Sequence, residues 1–218
     1  MLSTFLKQAP RIGRGLYSRF SSILIGRAMR RRRLDGAGKI PTFTVRQELV
    51  ALFALANQSR VDARVLEVGS YLGASTCYIA AGLRGEDFSI TCVDTWQNET
   101  MPDGVRDTFA EFSRNVEGVK ARLRLIRKPS GEVSPQELGE PFDMVFLDGD
   151  HSYRQTHQDF HMVSGLVAEG GVLAFHDSLF FQGVSRVIGE ALATGAWQIG
   201  GIANNLFWIK RAQFVHPS

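Results

Sequence analysis

Two short segments of the sequence gather groups able to move protons or hold a cation. The run Phe142-Asp143-Met144-Val145-Phe146-Leu147 is mostly apolar and leads into Asp148-Gly149-Asp150-His151, two carboxylates and an imidazole within four residues. The run Gly170-Gly171-Val172-Leu173-Ala174-Phe175 leads in the same way into His176-Asp177. If the two runs are neighbouring strands, Asp148, His176 and Asp177 converge on one rim. Carboxylates meeting there need neutralising, which a divalent cation does directly. His151, with an ordinary pKa near 6.5, suits a general base. Alternatives stand beside each role: Asp148 as a helix N-cap or a metal-free orienting carboxylate, and His151 as a loop histidine bonded to backbone. His157 and His161, four apart without a glutamate between them, read as a solvated helix face.

A third segment, Val65-Leu66-Glu67-Val68-Gly69-Ser70-Tyr71-Leu72-Gly73-Ala74, reads as strand, glycine turn and helix start. A dinucleotide site would carry three glycines as G-x-G-x-x-G, with pyrophosphate on the helix N-terminus. Here Glu67 stands at the first of those positions. A carboxylate there repels pyrophosphate and suits the ammonium of an amino-acid-bearing ligand. Asp94, 27 residues after Glu67, falls where an acidic side chain accepts ribose hydroxyls. Trp96 borders an adenine or simply packs. Ser130 contacts the adenine or caps the segment starting at Gly131.

The elements that must position these groups follow a simple rhythm. Thr44 with Gln47 makes a capping box, and Val45, Leu49, Leu52, Phe53 and Ala56 form a helical stripe. Strands are then expected at 65–68, 88–93, 123–126, 144–147 and 172–175. Helices are expected at 74–83, 105–116, 135–138, 153–167 and 184–192. Segments 197–199 and 206–209, joined by Gly200, Gly201, Asn204 and Asn205, suggest an antiparallel hairpin. Repeated strand-then-helix units imply an α/β, Rossmann-like, doubly wound and mostly parallel sheet, here of seven strands, with N-terminal helices added. Such sheets bind ligands beyond the carboxyl ends of their strands.

The chain divides into a basic extension at 1–38 and a catalytic domain at 39–218. From Met1 to Leu34 there are nine basic residues and no acidic one, while the remainder holds 16 basic against 22 acidic. A mildly acidic body argues against a nucleic-acid groove. Leu16, Phe20, Ile23 and Leu24 share a helical face among arginines. That pattern fits an interfacial helix on a membrane, an organellar targeting segment, or a helix packed on the domain or on a second copy in a homo-oligomer. No apolar run reaches the roughly 18 residues of a membrane span. Cys77 and Cys92 lie in apolar stretches and read as reduced packing residues. A cytoplasmic protein is the expectation.

The E-x-G-x-x-x-G turn resembles the first motif of class I S-adenosylmethionine-dependent methyltransferases. The pairing of F-L-D-G-D-H-S-Y with G-G-V-L-A-F-H-D resembles the small family 24 type of methyltransferase, which includes sugar O-methyltransferases and cephalosporin hydroxylase-like proteins. The resemblance covers Val45 to Lys210. It implies S-adenosylmethionine held by Glu67, Gly69, Ser70, Gly73, Asp94, Trp96 and Ser130, and methyl transfer to a hydroxyl of a small-molecule acceptor. It further implies magnesium on Asp148, His176 and Asp177, with His151 as base. An imidazole at position 176 suits manganese, iron or zinc better than magnesium. Two other readings compete: an NAD-linked oxidoreductase of the same fold class, and a non-catalytic S-adenosylmethionine-binding protein.

Overall fold

A computed structural model describes residues 14–99 and 104–212, with the side chains of 14–21 outside the description. Its centre is a seven-stranded sheet: β1 Arg64–Val68, β2 Ser89–Asp94, β3 Leu123–Arg127, β4 Phe142–Leu147, β5 Val167–Phe175, β6 Trp197–Ala203 and β7 Leu206–Arg211. The order is β3-β2-β1-β4-β5-β7-β6. The first five strands pair in parallel, and β7 and β6 close the edge antiparallel. The expected doubly wound sheet with a terminal hairpin is therefore the fold.

Alternation along the strands builds two cores. Val65, Ile90, Met144, Phe146 and Ala174 enter one apolar cluster. Leu66, Val93, Val145, Leu147, Leu173 and Phe175 enter another. The first cluster is covered by α1 Arg14–Arg31, α2 Arg46–Gln58 and α3 Ala74–Gly82. The second is covered by α6 Tyr153–Ser164 and α7 Gln182–Ala193. Two further helices, α4 Phe109–Asn115 and α5 Pro135–Leu138, complete the connections. Both cysteines are buried free thiols.

Several elements depart from their sequence expectation for visible reasons. Helix α4 starts four residues late because Arg106 N–H bonds Gln97 O at 3.1 Å and Thr108 N–H bonds Trp96 O at 2.9 Å. Those donors hold a returning loop and not a helical turn. Helix α6 stops at Ser164, and β5 begins at Val167 opposite Phe142, with a register shift before Met144. The box at the start of α2 uses Glu48, whose carboxylate accepts from Val45 N–H at 2.9 Å, in place of the expected Thr44–Gln47 pair.

The first helix divides its apolar residues between a packed face and an exposed one. Ile25 and Met29 are buried in the core, together with Leu34, Ala37 and Ile40, whereas Ile23 and Leu24 are exposed. Leu16 and Phe20 lie outside the described side chains. Arg32, one of the tail's nine basic residues, is also buried. Its guanidinium donates to Gly85 O at 2.5 Å and Leu83 O at 3.3 Å and lies 4.6 Å over the Phe88 ring. Its ion pair with exposed Glu86 adds little in water. Among the described residues no helix is long and apolar enough to cross a membrane.

Replacing Arg32 by Ala leaves two carbonyls without their donor and a gap against Phe88. A loss of roughly 2–3 kcal/mol in urea unfolding is expected. Arg31→Ala, at an exposed position, should stay within about 0.5 kcal/mol.

Candidate active site

Three strand ends line up because the ladder runs one residue past each strand. Gly69 N–H bonds Val93 O at 2.9 Å, Asp148 N–H bonds Val68 O at 2.8 Å, and His176 N–H bonds Leu147 O at 3.0 Å. With Val68 opposite Leu147 and Leu147 opposite Phe175, Gly69, Asp148 and His176 stand side by side on one rim. Gly69 has φ +83°, and a Cβ on it would collide with the Asp148 carbonyl oxygen. The glycine turn and the Asp148 loop are thus packed backbone to backbone.

At this rim Asp148, His151, His176 and Asp177 each offer one ligand atom, all within 4.8 Å of one another. His176 Nδ1 is 2.9 Å from Asp148 Oδ1 and 3.4 Å from Asp177 Oδ2. His151 Nε2 is 2.9 Å from Asp177 Oδ2 and 3.8 Å from Asp148 Oδ1. Despite the short distances neither ring nitrogen has a well-directed hydrogen bond. The oxygens lie off the N–H lines, and the four atoms face one another around a common point. That is the geometry of donors for a cation more than of a hydrogen-bonded network. One imidazole nitrogen, from His176, with carboxylate oxygens from Asp148 and Asp177 forms a donor set for a borderline divalent metal, with His151 beside it, so the residues present fit one.

Local structure explains how each group arrives there. Asp177 adopts a left-handed backbone, φ 55°, and Asn205 Nδ2 donates to its Oδ1 at 2.5 Å. His151 stacks on Phe181, ring centres 4.5 Å apart. Ser152, not Asp148, caps α6 by accepting from Gln155 N–H, which removes the capping alternative for Asp148. Asp150 is exposed and accepts from Ser152 N–H at 2.6 Å, away from the cluster. His157 and His161 do lie on an exposed surface, their Nε2 atoms 3.1 Å apart.

Glu48 is the residue that motif reading missed. It is buried on α2, and its Oε2 lies 3.0 Å from His176 Nε2. Its Oε1 accepts from Asn204 Nδ2 at 2.8 Å and Asn205 N–H at 3.0 Å. One carboxylate thereby ties the first described helices to β5 and the hairpin turn. It also fixes the ring so that Nδ1 faces the cluster, the usual role of a carboxylate behind a ligating histidine.

The carboxylates dominate the protonation of both imidazoles. Burial lowers the His176 pKa, but contacts with Asp148, Asp177 and Glu48 outweigh it and raise it to about 11. Burial likewise opposes, and Asp148 and Asp177 overcome it at, His151, which rises to about 9. Burial pushes Asp148 and Asp177 upward, yet the two imidazoles beside them leave both below the usual carboxylate range. The ordinary value expected for His151 therefore does not hold while both carboxylates carry uncompensated charge.

The neighbouring turn differs from expectation in detail. Glu67 is fully buried. Its Oε2 accepts from Ser70 Oγ at 2.8 Å and from Thr76 Oγ1 at 2.5 Å, and burial raises its pKa. The carboxylate braces the turn from beneath and does not face outward toward an ammonium. Asp94 lies close by: its Oδ2 accepts from Ser70 N–H at 2.7 Å and Tyr71 N–H at 2.9 Å, its Oδ1 from Trp96 N–H at 2.6 Å. Ser70 thus bonds both acids, joining the two sites predicted from sequence. Gly73, φ +87°, starts α3 and approaches Phe112 and Val116 too closely for a side chain. Trp96 is fully buried between Phe109 and Phe112, ring centres 5.2 and 4.8 Å away, so packing accounts for it and bordering an open cleft does not. Ser130 is the first residue of a short 3-10 turn whose N-cap is Pro129, and its Oγ accepts from Gln155 Nε2 at 3.1 Å.

Residues 66–178 match the family model described as a methyltransferase domain. The chain belongs to this methyltransferase family. Among curated relatives it is 28% identical over 130 residues to O-methyltransferase hkm8 of Aspergillus hancockii, covering 60% of this chain and 47% of that one. It is 27% identical over 154 residues to the catechol O-methyltransferase of Mycobacterium tuberculosis, covering 65% of each. The chain therefore spans about half to two thirds of the length of these relatives. The fold is shared with the O-methyltransferase TomG of Streptomyces achromogenes, solved in complex with S-adenosylmethionine, at TM-score 0.62, 18% identity, 92% of this chain and 96% of that one.

Two outcomes follow from the site's electrostatics. Glu48→Ala strands buried donors from three elements, and a loss of about 3–5 kcal/mol in denaturant unfolding is expected. In chelator-treated protein, the raised values of His151 and His176 give stability that is complete below the unfolded value of 6.5 and is lost as pH rises through about 9 and about 11. The unfolding midpoint should fall between pH 7 and 10, and fall less in His151→Ala.

Proposed function

We propose that this methyltransferase-family chain transfers a methyl group from S-adenosylmethionine to a hydroxyl of a small-molecule acceptor. The observation that carries the reading is the convergence of Asp148, His151, His176 and Asp177 beside the Gly69 turn. The names of the relatives and the S-adenosylmethionine bound to TomG point the same way. Asp94 and the backbone of Ser70 and Tyr71 provide a ribose-side and amino-acid-side cradle, with Glu67 keeping the turn in shape. Ser130 sits at the end of β3, where an adenine would lie. A glycoside or sugar hydroxyl is one acceptor compatible with the family resemblance.

Methyl transfer from a sulfonium is an in-line displacement in which the attacking oxygen must lose its proton. The chain's own contribution is alignment of the two reactants, worth up to several kcal/mol, and removal of that proton. Asp148, Asp177 and His176 would hold a divalent cation, which lowers the pKa of an acceptor hydroxyl. The same two carboxylates raise His151 to about 9. Once their charge is compensated, the imidazole returns toward its ordinary value and can take the hydroxyl proton near neutral pH. Phe181, stacked on His151, keeps the ring oriented and forms one wall of the acceptor approach.

Calorimetry with S-adenosylhomocysteine should show binding, with none for NAD(H). The reverse pattern would favour an oxidoreductase, and binding without methylation of any acceptor pool would favour a non-catalytic binder. EDTA should abolish turnover. His151→Ala should lower kcat by about 10²–10⁴-fold while retaining metal by elemental mass spectrometry; loss of the metal would make His151 a ligand and not the base.

A further inference from the structure

The mouth of the site is bordered by exposed apolar side chains. Leu179 and Phe180, directly after Ser178, are 68% and 78% exposed, and Phe181 is 44% exposed against His151. Phe180 and Phe181 are both turned outward from the core. Leu179 N–H is held by Asn205 Oδ1 at 2.6 Å, and Asn205 N–H is in turn held by Glu48. Glu48 also receives Val45 N–H, and Val45 is exposed. From the next residue, Arg46 Nη2 donates to Ser22 Oγ at 2.9 Å, directly before the exposed pair Ile23 and Leu24. A run of hydrogen bonds through Glu48 thus connects the segments that carry these exposed apolar residues to the active site.

The second observation is charge. Opposite the packed stripe of Ile25 and Met29, helix α1 presents Ile23, Leu24, Arg27, Arg30 and Arg31, all exposed and at spacings of three and four. Residues 1–34 contain no carboxylate. Apolar side chains interleaved with arginines along one helix face are the composition of an interfacial helix. A second copy of the chain fits this face poorly. A two-fold contact through α1 would bring the basic clusters of both copies, Arg27, Arg30 and Arg31, together.

We propose that this face docks on an anionic lipid surface, with α1 lying in the headgroup region and Leu179–Phe181 entering beside the catalytic mouth. If the methyltransferase reading above holds, on which this corollary rests, the acceptor is an amphiphile that reaches Asp148 and His151 from the bilayer. Docking itself needs neither cofactor nor turnover, so the two readings can fail separately.

Full-length protein should be sedimented with vesicles of phosphatidylcholine alone and with vesicles that also contain phosphatidylglycerol. Binding to the second and not the first is expected, weakening with salt. The variant Ile23→Ser/Leu24→Ser/Phe180→Ser should bind on the order of tenfold more weakly or worse, with an unchanged thermal midpoint and unchanged S-adenosylhomocysteine binding. Arg27→Gln/Arg30→Gln/Arg31→Gln should lose the preference for anionic vesicles. Tryptophan emission from Phe180→Trp should shift to the blue on vesicles, while that from Val61→Trp, exposed before β1, should not. Absence of vesicle binding would overturn the proposal. So would binding unaffected by either triple variant, or a stable dimer in the ultracentrifuge that the serine variant dissociates and vesicles do not compete with.

Discussion

The structure depends on the parallel register of β1, β4 and β5, carried one residue beyond each strand. Three backbone bonds, from Gly69 to Val93, from Asp148 to Val68 and from His176 to Leu147, place the chemistry-bearing residues on one line. Side chains alternate faces along a strand, so a slip of one residue would send Asp148 and His176 to the opposite side. The close packing of each β4 and β5 side chain into its own cluster resists that slip. The precision of the site is thus inherited from ordinary core packing, and the site residues themselves need not stabilise the sheet.

A half-buried cluster of two carboxylates and two imidazoles also carries a cost. Each group loses hydration, and their mutual contacts recover it only in part. The molecule accepts this arrangement where three loops meet, and secures it with one more buried acid. Glu48 holds His176 from behind and receives two donors from the hairpin turn, so the cluster is clamped by elements from the start, middle and end of the described chain. The antiparallel hairpin appended to the parallel sheet gains a purpose from this. Its turn residues Asn204 and Asn205 reach Glu48, and Asn205 reaches Asp177 as well.

The strands and the motif residues at their ends were legible because their signals are local. An apolar run followed by polar groups marks the strand and its exit point, and all five parallel strands and the hairpin overlap the expected segments, although β5 begins five residues earlier than the pattern put it. Glu48 was not legible: its partners His176 and Asn205 lie 128 and 157 residues away, and in sequence it is one more glutamate in the first turn of a helix. The face of α1 that packs was not legible for a related reason. Ile23 and Leu24 form as good a stripe as Ile25 and Met29, and only the position of α3 decides which one packs. Glu67 was placed on the right strand, but its side chain turns inward to Ser70 and Thr76, because alternation from Val65 directs it into the core beneath the turn.

The central claim is that Asp148, His176 and Asp177 share one cation with His151 beside it. A crystal of the protein grown with manganese and S-adenosylhomocysteine, measured at a wavelength where manganese scatters anomalously, tests it most directly. The account predicts one strong anomalous peak within bonding distance of Asp148, His176 and Asp177. A peak elsewhere, or none while the homocysteine product lies bound beside Gly69, would contradict it.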